Sequence, residues 1–182
     1  AHNSSDISGN SGWSFSHCIP VCMSPVDATI TSGLIYCEDD SPLTLTAVDT
    51  GGVWSGLGIT DTFNGSFDPA IASAGIHQII YTIAGSCGDA DTVSITVTAT
   101  DTASFNYSSA NYCLTDTDPA ASITGTTGGA FSIDNSGVIN SADGTIDLTG
   151  SGTGNYIVTY ITTGSCPDTG TFNIAINTAF DA

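Results

Sequence analysis

Residues 75–97 read GIHQIIYTIAGSCGDADTVSITV, and this stretch decides the fold. Apolar and polar residues alternate on both sides of its central Gly-Ser-Cys, which is the pattern of two strands that each bury one face. Gly and Asp between the two runs favour a turn, so the stretch predicts an antiparallel hairpin. The predicted inward positions are His77, Ile79, Tyr81, Ile83, Val93, Ile95, Val97 and Ala99.

The same pattern occurs a second time at residues 154–176, which read GNYIVTYITTGSCPDTGTFNIAI. Upstream of each hairpin stand a Tyr-Cys pair and a Gly-Gly pair that is followed by an aromatic residue and Ser, in residues 34–56 and again in residues 109–133. Self-similarity of this kind indicates a duplicated module. We therefore predict an all-β fold with an extended N-terminal arm at 1–26 and two tandem β-sandwich domains at 27–100 and 101–182.

The charge of the chain restricts its partners. The 182 residues include 18 Asp plus Glu and no Lys or Arg, for a formal net charge of -18. Phosphate groups and anionic lipids are bound mainly by Lys and Arg, so nucleic acid is excluded as a partner and a membrane surface is not expected. No apolar run is long enough to predict a spanning helix, so direct membrane insertion is not expected either. Without an initial Met or a signal peptide, the sequence is expected to be a processed chain or a fragment.

Six cysteines in an acidic, Thr- and Ser-rich chain predict disulfides and an extracellular or cell-surface location. Equivalent cysteines of a duplicated module are expected to pair equivalently, which predicts the bridges Cys37–Cys87 and Cys113–Cys166. Cys18 and Cys22 remain in the arm, where a straight strand would hold them roughly 13 Å apart. Because a disulfide needs Cα atoms within about 7 Å, these two either close a bend around Pro20 or bond elsewhere, including between subunits.

The two copies resemble the immunoglobulin-like repeats of large surface proteins from Bacteroidetes-type bacteria, namely adhesins and gliding-motility proteins of the kind exported by the type IX secretion system. The resemblance covers nearly all of residues 30–178 and rests on the Tyr-Cys, Gly-Gly-aromatic and Gly-Ser-Cys motifs. It implies an immunoglobulin-like β-sandwich, export, and a structural or adhesive role. It also implies O-glycosylation at Asp-Ser/Thr motifs, which Thr92 and Thr102 fit. The short length and the missing type IX sorting domain depart from the family.

Sites for chemistry are few. No motif for nucleophilic or metal-dependent hydrolysis occurs, so we predict a protein that is not an enzyme and has no catalytic residues. His77 aligns with Tyr156 and is expected to pack half-buried. Oxygen-rich loops suit Ca²⁺, although Asp is also an ordinary turn residue, and turn carboxylates are the preferred interpretation. The Ca²⁺ candidates are Asp39, Asp40, Asp89, Asp91, Asp116 and Asp118. N-glycosylation sequons stand at Asn3, Asn64 and Asn106.

The arm carries a third alternating stretch, SGWSFSHCIPVCMS, at residues 11–24. Its apolar register would be an aggregation hazard if left uncovered, so it is expected to be buried. It could fold back as an edge strand of its own domain, or it could add as a donated strand to a neighbouring subunit. Its terminal position after a polar leader favours donation. The predicted interface residues are Trp13, Phe15, Ile19, Val21 and Met23.

These observations predict a structural subunit of an extracellular, pilus-like filament or adhesin that forms a homopolymer with copies of itself, head to tail. The alternative is a glycan-binding adhesive module of a larger secreted protein, with Trp54 as the platform for surface glycans. Trp54 aligns with Phe131 after the Gly-Gly pair, which argues instead that both pack in a core.

Overall fold

The computed structural model describes residues 25–178, and nearly all of their regular structure is β-strand. We call residues 26–98 module one and residues 101–178 module two. The elements of module one are β1 (Ile35–Cys37), β2 (Leu43–Thr44), β3 (Val53–Ser55), β4 (Ile59–Asp61), β5 (Ser66–Phe67), α1 (Pro69–Ala72), β6 (Gly75–Ile83) and β7 (Asp89–Thr98).

Module one is built on the predicted hairpin, which is formed by β6 and β7. The two strands pair antiparallel along their whole length, from Gly75 opposite Val97 to Ile83 opposite Asp89. The larger sheet has the order β1-β7-β6-β3, with β1 parallel to the last residues of β7. A smaller sheet of order β2-β5-β4 packs against it. This arrangement is a sandwich in which one face of each sheet is buried.

The elements of module two are β8 (Phe105–Asn106), β9 (Asn111–Cys113), β10 (Ser122–Ile123), β11 (Ala130–Ile133), β12 (Val138–Ile139), β13 (Ile146–Asp147), α2 (Leu148–Ser151), β14 (Gly154–Ile161) and β15 (Thr169–Asn177). Module two repeats the arrangement of module one around β14 and β15, with its larger sheet in the order β11-β14-β15-β9. Short pairs, β8 with β10 and β12 with β13, complete the sandwich. The all-β prediction with two successive sandwiches is confirmed.

Each module has its own hydrophobic core, and equivalent positions fill the two cores. Trp54 stacks on Tyr81 with ring centroids 4.4 Å apart, and Phe131 stacks on Tyr160 at 4.5 Å. Along the hairpins the inward register is turned toward the core as predicted, with His77 and Val93 half-buried, except that Ala99 lies beyond β7 and is exposed. Buried core positions are Ile79, Tyr81, Ile95 and Val97 in module one, and Tyr156, Val158, Tyr160, Ile174 and Ile176 in module two.

The repeated Gly-Gly pair has a structural cause. Gly51 and Gly128 adopt φ of +92° and +91°, a left-handed conformation that side chains disfavour. A Cβ on the second glycine, Gly52 or Gly129, would collide with the tyrosine ring beside it. In module one the N–H of Gly52 donates to the Tyr81 hydroxyl at 2.8 Å, and that hydroxyl donates to the carbonyl of Asp49 at 3.1 Å. The Gly-Gly pair therefore lets the backbone pass close to the tyrosine ring and form a hydrogen bond with the tyrosine hydroxyl.

Two four-residue helices, α1 and α2, occur in residues 25–178 where no helix was predicted. Each is preceded by an aspartate, Asp68 or Asp147, whose carboxylate accepts an N–H of the first turn. This is the usual N-cap role of Asp. A single turn is too short to show a helical hydrophobic period, so pattern analysis could not detect it.

The predicted arm falls almost entirely outside the described residues. Val26, which the prediction placed in the arm, packs against the core of module one, and its N–H donates to the carbonyl of Cys87 at 3.5 Å. The domain boundaries otherwise stay predictions. The predictions for Trp13, Phe15, Ile19, Val21, Met23, Cys18, Cys22 and Asn3 concern residues outside 25–178.

Candidate functional site

The two modules are joined by a disulfide. Cys37 of module one and Cys166 of module two are bridged, with Cα atoms 5.6 Å apart and a sequence separation of 129. The predicted bridges Cys37–Cys87 and Cys113–Cys166 are therefore wrong. Cys87 is disulfide-bonded, and Cys113 is a free, half-buried thiol in this structure, so it does not form its predicted bridge to Cys166.

The topology explains why the within-module pairs cannot form. Parallel pairing places Cys37 beside Thr98, at the C-terminal end of β7. Cys87 precedes Asp89, at the other end of the same strand, so about 30 Å separates the two cysteines at roughly 3.3 Å per residue. Cys113 likewise lies beside Asn177 at the end of β15, whereas Cys166 precedes its start. Each module thus carries its two cysteines at opposite poles.

Hydrogen bonds fix the module-one side of the junction. The N–H of Glu38 donates to the carbonyl of Thr98 at 2.9 Å, which holds the residue after Cys37 against the end of β7. The Cys37 N–H donates to the carboxylate of Asp40 at 2.8 Å. The Thr100 hydroxyl donates to Asp39 at 2.7 Å, so the two-residue link between the modules is tied to the same turn.

The module-two side of the junction is the β14–β15 hairpin turn. The N–H of Asp101 donates to the carbonyl of Cys166 at 2.9 Å, and the N–H of Gly164 donates to the Asp101 carboxylate at 3.0 Å. Cys166 is only 3% exposed. A covalent bond and ordered backbone contacts therefore meet at one pole, and we take this junction as the candidate functional site.

A carboxylate clamp holds the segment that enters each module. The N–H of Ala28 donates to Asp89 at 3.0 Å, and the N–H of Ala103 donates to Asp168 at 2.8 Å. Asp168 also accepts from the N–H of Thr169 at 2.7 Å. The bonds from Ala103 and Thr169 lower the pKa of Asp168 below its ordinary value of 3.8. A side chain thus provides the acceptor that a neighbouring strand would provide in a regular sheet.

This clamp predicts acid sensitivity. A carboxyl whose pKa is lower in the folded than in the unfolded state stabilises the fold above the unfolded pKa, and this contribution is lost as pH falls through the folded pKa. We expect Asp168→Asn to lower the urea midpoint at pH 6, and the difference from the unsubstituted chain to shrink once the pH is below 3.8. Denaturation from pH 6 to pH 2 in 1 M NaCl, where the Debye length is about 3 Å, removes long-range repulsion. A difference that is the same at every pH would contradict the clamp.

The predicted Ca²⁺ candidates act as acceptors for the protein itself. Asp40 and Asp116 accept from the N–H groups of Cys37 and Cys113, and Asp118 accepts from Leu148. Within residues 25–178 no group of three or more His, Cys, Asp or Glu side chains is arranged to hold a metal ion. Among the remaining candidates, Asp39 accepts a hydrogen bond from the Thr100 hydroxyl, and Asp89 accepts one from the N–H of Ala28. Asp91 accepts from the N–H groups of Ile30 and Thr92.

The expectation that Trp54 forms a glycan platform is wrong, because its side chain is only 4% exposed and lies in the core of module one. His77 is half-buried, as expected from its alignment with Tyr156, and its Nε2 lies 2.8 Å from the carbonyl oxygen of Ser73. The glycosylation candidates Thr92, Thr102, Asn64 and Asn106 are all exposed, so their use stays a prediction.

Sequence reasoning missed an apolar patch on the outer face of the larger sheet of module one. Ile35 and Ile76 are 74% and 73% exposed, and Leu34 beside them is also exposed. Thr96 on β7 pairs with both isoleucines, so they lie in one row across three strands. The sequence did contain a signal for this patch, since Ile76 and Ile80 are apolar residues at positions of residues 75–83 where the alternation predicts polar ones.

No helix among the described residues is long and apolar enough to cross a membrane. No protein-family model matches the chain, and no curated protein matches its sequence.

Solved structures share a distant likeness with the chain. A Drosophila N-cadherin EC1-4 structure has a TM-score of 0.36 and 13% identity, with 85% of this chain and 50% of that one covered. The insect immune protein hemolin has a TM-score of 0.42 and 9% identity over 97% of this chain and 49% of its own. Human protocadherin-24 EC1-2 has a TM-score of 0.33 and 12% identity over 86% of this chain and all of its own. The chain thus spans about half of the first two, and we draw no conclusion on function from likenesses this distant.

Proposed function

We propose that this chain is a structural subunit of an extracellular surface filament or adhesin that assembles head to tail with copies of itself through its N-terminal arm. The observation that carries the proposal is the Cys37–Cys166 junction, in which one module is bonded covalently to the pole of the next. An end-to-end bond between modules suits a protein that must span distance and transmit tension. The bridge also indicates an oxidising, extracytoplasmic compartment.

The apolar patch on module one supports a docking place for the arm. β1 is an edge strand of its sheet, and Ile35, Ile76 and Leu34 expose apolar surface there. The arm also has an apolar face that must be buried, since Trp13, Phe15 and the apolar residues after them alternate with polar residues. A donated strand beside β1 would extend the sheet and bury both apolar surfaces.

Deleting residues 1–24 tests strand donation while keeping Val26, which packs in module one. Both the truncated and the full-length chain carry Cys87→Ser. A difference in filament formation between them then cannot come from a change in the disulfide partner of Cys87. We expect the full-length chain to form filaments in negative-stain micrographs and the deleted chain to sediment as a monomer with unchanged circular dichroism. A deleted chain that still polymerises would rule out donation by the arm.

A register control sharpens this test. Replacing Trp13 and Phe15 with Ser should abolish filaments, because the buried face of the donated strand is lost. Replacing Ser14 and Ser16 with Thr alters the opposite face and should leave filaments intact. Equal effects from both pairs of substitutions would mean that the arm does not add as an alternating strand.

A further inference from the structure

The surroundings of the free thiol Cys113 repeat those of the bridged Cys37. Cys37 pairs with Thr98 at the end of β7, and Cys113 pairs with Asn177 at the end of β15. The N–H of Cys113 donates to Asp116 at 2.7 Å, as that of Cys37 donates to Asp40.

The residue after each cysteine is held in the same way. The N–H of Leu114 donates to the carbonyl of Asn177 at 3.0 Å, which matches the bond from Glu38 to Thr98. Both cysteines are half-buried at the pole where the chain leaves the module. The two cysteines therefore share the same strand pairing, the same following turn, the same carboxylate acceptor and the same partial exposure. They differ only in that Cys37 is bonded to a following module.

We propose that Cys113 is one half of a second inter-module disulfide, and that its partner is the Gly-Ser-Cys hairpin cysteine of a further module of this kind joined in series at this pole. The bonded equivalent, Cys37, supplies the independent observation, because it holds that same hairpin cysteine of the module that follows it. The assignment does not depend on strand donation by the arm.

The spacing at the observed junction favours a module in series over one from a separate chain. Ala99 and Thr100 link the end of β7 to Asp101, whose N–H donates to the carbonyl of Cys166. This short link sets the incoming hairpin turn directly against Cys37. A module that begins the same number of residues after Asn177 would place its hairpin cysteine against Cys113.

The bond forms by thiol oxidation. The thiols of Cys113 and of the incoming hairpin cysteine give up two protons and two electrons to oxidised glutathione, and the two sulfurs join. The glutathione disulfide is cleaved to two molecules of reduced glutathione. The reaction passes through a mixed disulfide with glutathione, and it needs only a disulfide oxidant.

Two fused chains test the proposal. In the first, residues 1–177 are followed by Ala-Thr, the link found at Ala99-Thr100, and then by a second copy of residues 101–178. In the second, the same link is followed by residues 26–98, which offer Cys87 in the hairpin position. Both are oxidised with glutathione, alkylated without reduction, digested and analysed by mass spectrometry.

We expect a peptide that joins Cys113 to the hairpin cysteine of the appended module, and loss of Cys113 alkylation in that fused chain. In the unfused chain Cys113 should be fully alkylated, with one more label than the Cys113→Ser variant carries. Appearance of the linked peptide in either fused chain supports the assignment. Full alkylation of Cys113 in both would overturn it, and so would disulfide-linked dimers of the unfused chain through Cys113, because they would place the partner in a separate chain.

Discussion

Stretched between its ends, the chain with an intact Cys37–Cys166 bridge should extend about 430–460 Å less than the chain without it, because 129 residues separate the two cysteines and each extended residue spans roughly 3.3–3.6 Å. The closed bridge carries the load from β1 directly to the hairpin turn of module two. Residues 38–165, which include both hairpin strands of module one, are then shielded from the pulling force. Force spectroscopy on single molecules measures the difference as contour length.

The comparison needs matched chains. Cys87 is disulfide-bonded, so Cys87→Ser is placed in both chains to remove its bridge from the measured length. One chain then keeps the junction and the other carries Cys37→Ser and Cys166→Ser. Equal contour lengths would show that the junction does not bear the load, and the proposed tensile role would lose its main support.

The second large effect is expected from Trp54→Ala, which should lower the free energy of unfolding of module one by about 3–5 kcal/mol, the usual range for a buried Trp or Phe. Trp54 is 4% exposed, stacks on Tyr81 and lies against Gly65, so its removal leaves a cavity in the core of module one. Urea denaturation followed by far-ultraviolet circular dichroism measures the change.

Phe63→Ala is the matched control, because Phe63 belongs to the same module and is 79% exposed. We expect its effect to stay within roughly 0.5 kcal/mol, as is usual for surface substitutions. If Trp54→Ala were as mild as Phe63→Ala, the described core would be wrong, and a surface role for Trp54 would return to consideration.

The fold could be predicted from the sequence because its strongest signal is local. The alternation from Gly75 to Val97 fixes two strands and their inward faces, and the copy at 154–176 fixes a second module. Tyr81 and Tyr160 fall in the cores as this pattern requires. The Gly-Gly pairs were recognised as a repeat, but their cause, close passage over a tyrosine ring, depends on contacts 29 and 31 residues apart.

The junction could not be predicted because it depends on which ends of the strands meet. The repeat shows that Cys37 corresponds to Cys113 and that Cys87 corresponds to Cys166. This correspondence is equally consistent with disulfides within one copy and with disulfides between consecutive copies. The decisive fact is that β1 runs parallel to β7 and ends at its far pole. Parallel pairing of a three-residue strand leaves no sequence signature.

The net negative charge described above also affects how such chains associate. Hydrogen bonds from backbone N–H, hydroxyl or side-chain amide groups lower the pKa of five aspartates, and no Lys or Arg offsets their charge: Asp27, Asp61, Asp143, Asp147 and Asp168. Two chains that approach side by side therefore repel each other along their whole length, within a Debye length of about 8 Å at physiological salt. Side-by-side association is thus opposed most strongly in dilute salt, and the proposed filaments should stay thin and well separated there.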